Sequence, residues 1–242
     1  MSLLPFTFEE ERHLYTTPGR YTLSTSDVVD LMGLSNMDQI PIAVLRNAAY
    51  RGKCLHKAIE CYEQNQDWQD DFPNEFMPYL DGWFAFRDAY PIQLVGPHEK
   101  PYVYLHEGTD QAIGATIDFR FLYDGDLWIG DLKTIHPLSG KALRQKLLAC
   151  RLQGESYKCP TEMDEEFIKS CGSFGSIKKA VIHIHPKLKQ GYAVHLFPQD
   201  DSLLWDSAVR LAMEKVSVGI LPSRRNVDVQ GALRDSLEAE YA

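Results

Sequence analysis

The chain has 242 residues, with 25 Lys and Arg against 34 Asp and Glu, a formal net charge of −9 and 44% hydrophobic residues. That length allows one large domain or two small ones, and the apolar content is ordinary for a chain with a buried core. The acidic balance argues against a large non-specific nucleic-acid surface but leaves room for a local basic groove, and no run approaches the ~20 apolar residues of a membrane-spanning helix.

No Pro-, Ser- or Gly-rich linker and no internal repeat interrupts the middle, so one domain over 1–242 is expected, with an arm at 1–20 and a polar tail at 221–242. The opening MSLLPFTFEEERH carries acids where a secretory signal needs positive charge and a long apolar run, which points to a cytoplasmic protein. The cysteines Cys54, Cys61, Cys150, Cys159 and Cys171 form no CxxC, and in that setting free thiols are expected.

In chain order, residues 1–20 read as an irregular arm. Ser26 or Asp27 then offers an N-cap for a short helix through Val28–Met32. A second helix begins near Pro41 and runs toward Gly52, and helical spacing of Leu55, Ile59 and Tyr62 continues to Gln64. His56 and Glu60 lie four apart on one face. They read either as a surface pair or, beside an acidic metal site, as a ligand and its support or fellow ligand. Residues 65–74 form a polar loop, 75–90 a helix, Ile92–Val95 a strand, and 99–105 another strand. Glu99 stands at the start of that second strand, either as an edge charge or as an acid near the site.

The stretch Gly114–Lys133, GATIDFRFLYDGDLWIGDLK, organises the rest. Asp118 ends one apolar run, Asp124-Gly125 makes a turn, and a second apolar run delivers Asp131-Leu132-Lys133. Two strands joined by Asp-Gly make a hairpin. Residues two apart on a strand share a face, so Asp131 and Lys133 emerge together. Pairing in register would bring Asp118 close to both. Such a pair at i, i+2 is often a solvated face. After Trp128 and Ile129, which suggest a buried strand, two carboxylates and a lysine form instead the set that holds a divalent metal beside a phosphodiester.

Beyond Lys133, residues 141–158 read as a helix with Leu143, Leu147, Leu148 and Leu152 inward and Gln153 and Tyr157 on one face. Its basic residues Lys141, Arg144, Lys146, Arg151 and Lys158 make either a solvated face or a DNA-phosphate contact. Residues 160–176 suggest a helix and loop. Residues 178–185 are a strand whose His183 and His185 are read as a sheet surface, 191–197 its hairpin partner, and 201–220 an amphipathic helix.

In this order the motifs resemble the PD-(D/E)XK nucleases of the RecB-like, phage-exonuclease type. The resemblance rests on Gly52-x-x-x-His56 with Glu60, Glu99, Gly114-x-x-x-Asp118, Asp131-Leu132-Lys133-Thr134 and Gln153-x-x-x-Tyr157, and it spans roughly residues 20–215. It implies an α/β, restriction-endonuclease-like fold, a mixed central sheet flanked by helices. It also implies a deoxyribonuclease, an exonuclease of recombination or repair, phage-encoded by analogy. His56, Asp118, Asp131, the carbonyl of Leu132 and Glu99 would hold one or two Mg²⁺ or Mn²⁺ ions. Lys133 would act on the attacking water and the scissile phosphate, with Glu60, Gln153 and Tyr157 supporting the site or positioning DNA. The alternatives are an inactive DNA-binding scaffold on the same fold and a structure-specific endonuclease. DNA with free ends is the implied partner, and a strand-annealing protein is what the phage analogy adds. Some relatives carry a four-cysteine iron–sulfur cluster. Here no cysteine follows Cys171, and Cys150, Cys159 and Cys171 are widely spaced, so no cluster is expected.

Overall fold

The computed structural model describes residues 2–9, 13–35, 40–70 and 72–223. The polar tail from 224 onward lies outside them. The arm is not irregular. Strands β1 (Thr7–Glu9) and β2 (Leu14–Thr16) pair antiparallel. Strand β3 (Thr22–Ser24) leads into helix α1 (Thr25–Leu31). The N-cap is Ser24, earlier than Ser26 or Asp27. Its hydroxyl accepts from the Asp27 amide at 3.0 Å, and the Asp27 carboxylate accepts from the Ser24 amide at 2.8 Å. This reciprocal capping box makes Asp27 part of the first turn.

Helix α2 runs unbroken from Ile42 to Glu63, and α3 spans Met77–Ala89 after a short 3-10 turn at Asn74–Phe76. Strands β4 (Gln93–Leu94), β5 (Lys100–Leu105), β6 (Ala112–Ile117), β7 (Phe119–Tyr123) and β8 (Asp126–Lys133) follow. After them come α4 (Gly140–Met163), α5 (Glu165–Cys171), β9 (Ile177–Ile184), β10 (Tyr192–Phe197) and α6 (Ser202–Ser217). The result is a mixed α/β fold. A five-stranded sheet has the order β10-β9-β8-β7-β4, and a three-stranded sheet has the order β3-β6-β5. Parallel pairing of β8 with β9 requires the α4–α5 crossover, whereas β7 and β8 form the expected tight hairpin. Asp124 and Gly125 both take positive φ, 51° and 76°, as a two-residue turn of the primed type requires.

One discontinuity decides the rest. β6 ends at Ile117 in the three-stranded sheet, and β7 begins at Phe119 in the five-stranded one. Asp118 is the single residue between them. Each face of β8 has its own core. Trp128 and Leu132 pack with α2 and α3 through Leu55, Ile59, Trp83 and Phe86. Ile129 packs on the opposite side with Ala149 and Leu152 of α4. Alternation therefore puts Asp131 and Lys133 on the α4 side. A buried ion cluster holds α4 in place. Lys179 on β9 meets Glu155 of α4 and, at 2.8 Å, Asp201 just before α6, and Arg151 of α4 also reaches Asp201.

Gly130, the residue before Asp131, faces Phe119 across the hairpin. A Cβ there would lie 2.2 Å from the Phe119 ring. Phe119 is the residue after Asp118, so a side chain at 130 would push apart the two strands that hold the acids. Gly130→Ala is expected to cost about 1–3 kcal/mol in denaturant unfolding. An unchanged midpoint would show that the ring has room to move.

Candidate active site

The β7–β8 ladder begins at Phe119↔Gly130, so the next rung would pair Asp118 with Asp131. The chain leaves the sheet there instead, and the Asp118 side chain takes over from the missing backbone. Its Oδ2 accepts from the Leu132 amide at 2.7 Å. On the α4 face, Lys133 Nζ donates to Asp131 Oδ1 at 2.7 Å. Asp131 is 2% exposed, and its Oδ2 is buried without a hydrogen-bond partner. The structure thus brings Asp118, Asp131, Leu132 and Lys133 together at a broken sheet edge.

Helix α2 delivers His56 from the other side. Its Nε2 lies 3.9 Å from Asp118 Oδ2, and its Nδ1 lies 3.5 Å from Glu99 Oε1. Glu99 is placed by the backbone. It adopts a positive φ of 46° just before β5, and its amide donates to the Asp118 carbonyl at 2.9 Å. Glu60, one turn beyond His56, is not brought to the two aspartates. It pairs with Lys57 at 3.0 Å and faces a cleft of about 180 Å³ shared with Gly96, His98 and Arg120. Tyr157 is buried in the α4-side core, and half-buried Gln153 precedes it by one turn.

The electrostatics follow from burying two acids and one base together. Burial first, and then the neighbouring Asp131, pushes the Asp118 carboxyl up to about 7, against the lowering pull of Lys133 and the Leu132 amide. Burial opposes charge on Lys133, but Asp131 and Asp118 more than reverse this and raise its ammonium above the ordinary lysine value. Burial pushes His56 below the usual imidazole value, toward the neutral form. Burial, then Asp131 and Asp118, holds the Tyr157 phenol well above its usual range.

Two neighbours escaped the sequence reading as site residues. Lys146, read only as one of the basic residues of its helix, is held below the ordinary lysine value by burial and then by Lys133. Its position twelve residues beyond Thr134 gave no sign of this closeness. The His98 ring lies 5.7 Å from the His56 ring, tilted by 35°, and burial pushes its imidazole down to about 4. Its place beside Glu99 was the available signal.

The donor set suits a hard divalent cation, with two carboxylates, a carbonyl and a neutral imidazole. The buried Asp131 Oδ2 and His56 Nδ1, both without hydrogen-bond partners, are the kind of atoms such an ion satisfies. As the side chains stand, no group of three or more His, Cys, Asp or Glu among the described residues forms a ready-made metal site, and Lys133 holds Asp131 instead.

The histidines on β9 and just beyond it are not a sheet surface. His183 and His185 are 6% and 5% exposed, and His183 Nε2 lies 2.6 Å from the carbonyl of Ile135. All five cysteines are free thiols. No helix among the described residues is long and apolar enough to cross a membrane.

No family model matches the chain, and no curated protein matches it. One similar solved structure, described as "Crystal structure of SSO0001", aligns over 84% of this chain and 79% of that one at 13% identity, with a TM-score of 0.38.

Proposed function

We propose that the chain is a metal-dependent deoxyribonuclease of the PD-(D/E)XK type, with a restriction-endonuclease-like arrangement of its sheet, acting on DNA ends. The observation that carries this reading is the broken sheet edge. There Asp118 bonds the Leu132 amide at 2.7 Å while Lys133 bonds Asp131 at 2.7 Å, one rung away. Burying two carboxylates against each other costs stability. A fold keeps such an arrangement for chemistry more readily than for support.

His56, Glu99, Asp118, Asp131 and the Leu132 carbonyl would hold Mg²⁺ or Mn²⁺. Such an ion supplies Lewis acidity to the attacking water and the phosphate. The chain's own residues do the rest. Lys133 carries a fixed positive charge where negative charge grows on the phosphate, and its surroundings keep it protonated. The Leu132 amide fixes one oxygen of Asp118, leaving the other to bind. Burial keeps His56 neutral, the form able to donate a lone pair.

The test is digestion of end-labelled linear duplex beside covalently closed circular DNA, with Mg²⁺, with Mn²⁺ and with chelator. Metal-dependent loss of the linear DNA alone is expected. Cutting of the circle would replace the exonuclease by an endonuclease. Binding without cutting of either would leave an inactive scaffold.

A further inference from the structure

A second feature lies beside these residues and is used by none of the roles above. The loop that leaves β8 immediately after Lys133 is held by cations and rings. Arg51 of α2 donates to the Thr134 carbonyl at 2.9 Å and lies over the Tyr79 ring at 4.9 Å. Tyr79 meets the edge of His185 at 5.2 Å, and His185 meets His136 at 5.1 Å. Lys187 Nζ ends the row, 3.3 Å from His136 Nε2, while the Lys187 amide donates to His185 Nδ1 at 3.1 Å.

Four segments distant in sequence therefore converge on one strip, in the order Arg51, Tyr79, His185, His136, Lys187. The strip starts one residue beyond Lys133. Burial first, and then the neighbouring His136, push His185 down to about 4, so it enters the strip as a neutral ring. Among the described residues no carboxylate pairs with Arg51 or Lys187, the two cations that end the row, and in a chain with 34 acids and 25 Lys and Arg such cations suit an anion from elsewhere. Arg51 lies over the Tyr79 ring and Lys187 donates to His136, so each cation is fixed in place rather than left free on a solvated face. His136 and Lys187 are exposed.

We propose that this strip is the track along which the phosphodiester backbone of a DNA strand runs to or from Lys133, with Lys187 and Arg51 as the cations that face its phosphates and Tyr79, His185 and His136, which accepts from Lys187, as the rings that fix their positions. The reading of Lys133 as the reacting end rests on the nuclease proposal. The strip itself rests only on its charge, rings and spacing. A backbone track of this kind reads no base sequence. Its contribution falls with salt as counterions are released.

The experiment is fluorescence anisotropy of the full chain with labelled single-stranded and duplex DNA of about 30 nucleotides, in chelator, from about 50 to 200 mM salt. The variant is His136→Ser with Lys187→Ser, two exposed positions whose change leaves the core intact. Affinity is expected to fall about 10-fold at low salt, and the salt slope to shrink by about 1, equally for unrelated base sequences. A wild-type protein that binds DNA and a variant that matches it in affinity and slope would overturn the track while leaving the nuclease reading standing. A wild-type protein that binds no DNA would overturn the track as well. Loss of affinity in the variant, in a protein that shows no metal-dependent cleavage, would support the track and sink the nuclease.

Discussion

Asp118→Asn is expected to reduce metal-dependent DNA cleavage by about 10³-fold and yet to make the protein more stable in chelator at about pH 8. The first effect follows from removing a charged oxygen at the centre of the donor set. The second follows from the burial of Asp118 against Asp131, which pushes its carboxyl from 3.8 up to about 7. Between those values the folded protein holds a proton that the unfolded chain has released. Stability therefore falls as pH rises through this window, and the cost is fully present above about pH 7. It amounts to a few kcal/mol.

Asparagine keeps an oxygen able to accept from the Leu132 amide and carries no charge, so the variant escapes this cost. Half-buried His98 and buried His185, each held near 4, act in the opposite sense. Their cost appears as pH falls below about 6.5. Both proteins share that cost, so the informative quantity is the difference between them. Urea unfolding at about pH 5 and about pH 8 should show the variant's advantage growing with pH. A variant that is less stable at the higher pH, or that still cleaves, would show that the two acids are not a strained pair kept for chemistry.

Lys133→Ala should give the same loss of cleavage with the opposite effect on stability. Asp131 is 2% exposed, and the only hydrogen bond its carboxylate makes among the described residues comes from Lys133. Removing that ammonium strands a buried negative charge beside Asp118, a loss of about 3–5 kcal/mol. Adding Asp131→Asn recovers the variant for assay, because it removes the stranded charge. The double variant should regain most of the lost stability and none of the activity. If Lys133→Ala unfolds at the wild-type urea midpoint, the side chain is solvated and the acid pair is held by something else. The two variants together separate a catalytic arrangement from a structural one, because only the former predicts equal losses of activity with stability changes of opposite sign.

Much of the candidate site was legible along the chain because its spacing is local. Asp131 and Lys133 share a strand face, Asp124-Gly125 closes the hairpin that precedes them, and Leu55 and Ile59 mark the inward face of the helix carrying His56. Period-2 and period-3.6 patterns are properties of the backbone, and they survive into the fold. What the sequence could not decide was the break at Asp118. β6 and β7, separated by Asp118 alone, read as the first strand of the hairpin. Only the pairing of β6 with remote β3 and with β5, while β7 pairs with β8 and β4, shows that this stretch divides between two sheets. The same dependence on remote packing hid the burial of His183 and His185. Local periodicity thus determined which residues could share a face. Hydrogen bonding between distant strands, and the packing of helices on both sides of β8, decided which of those faces meet.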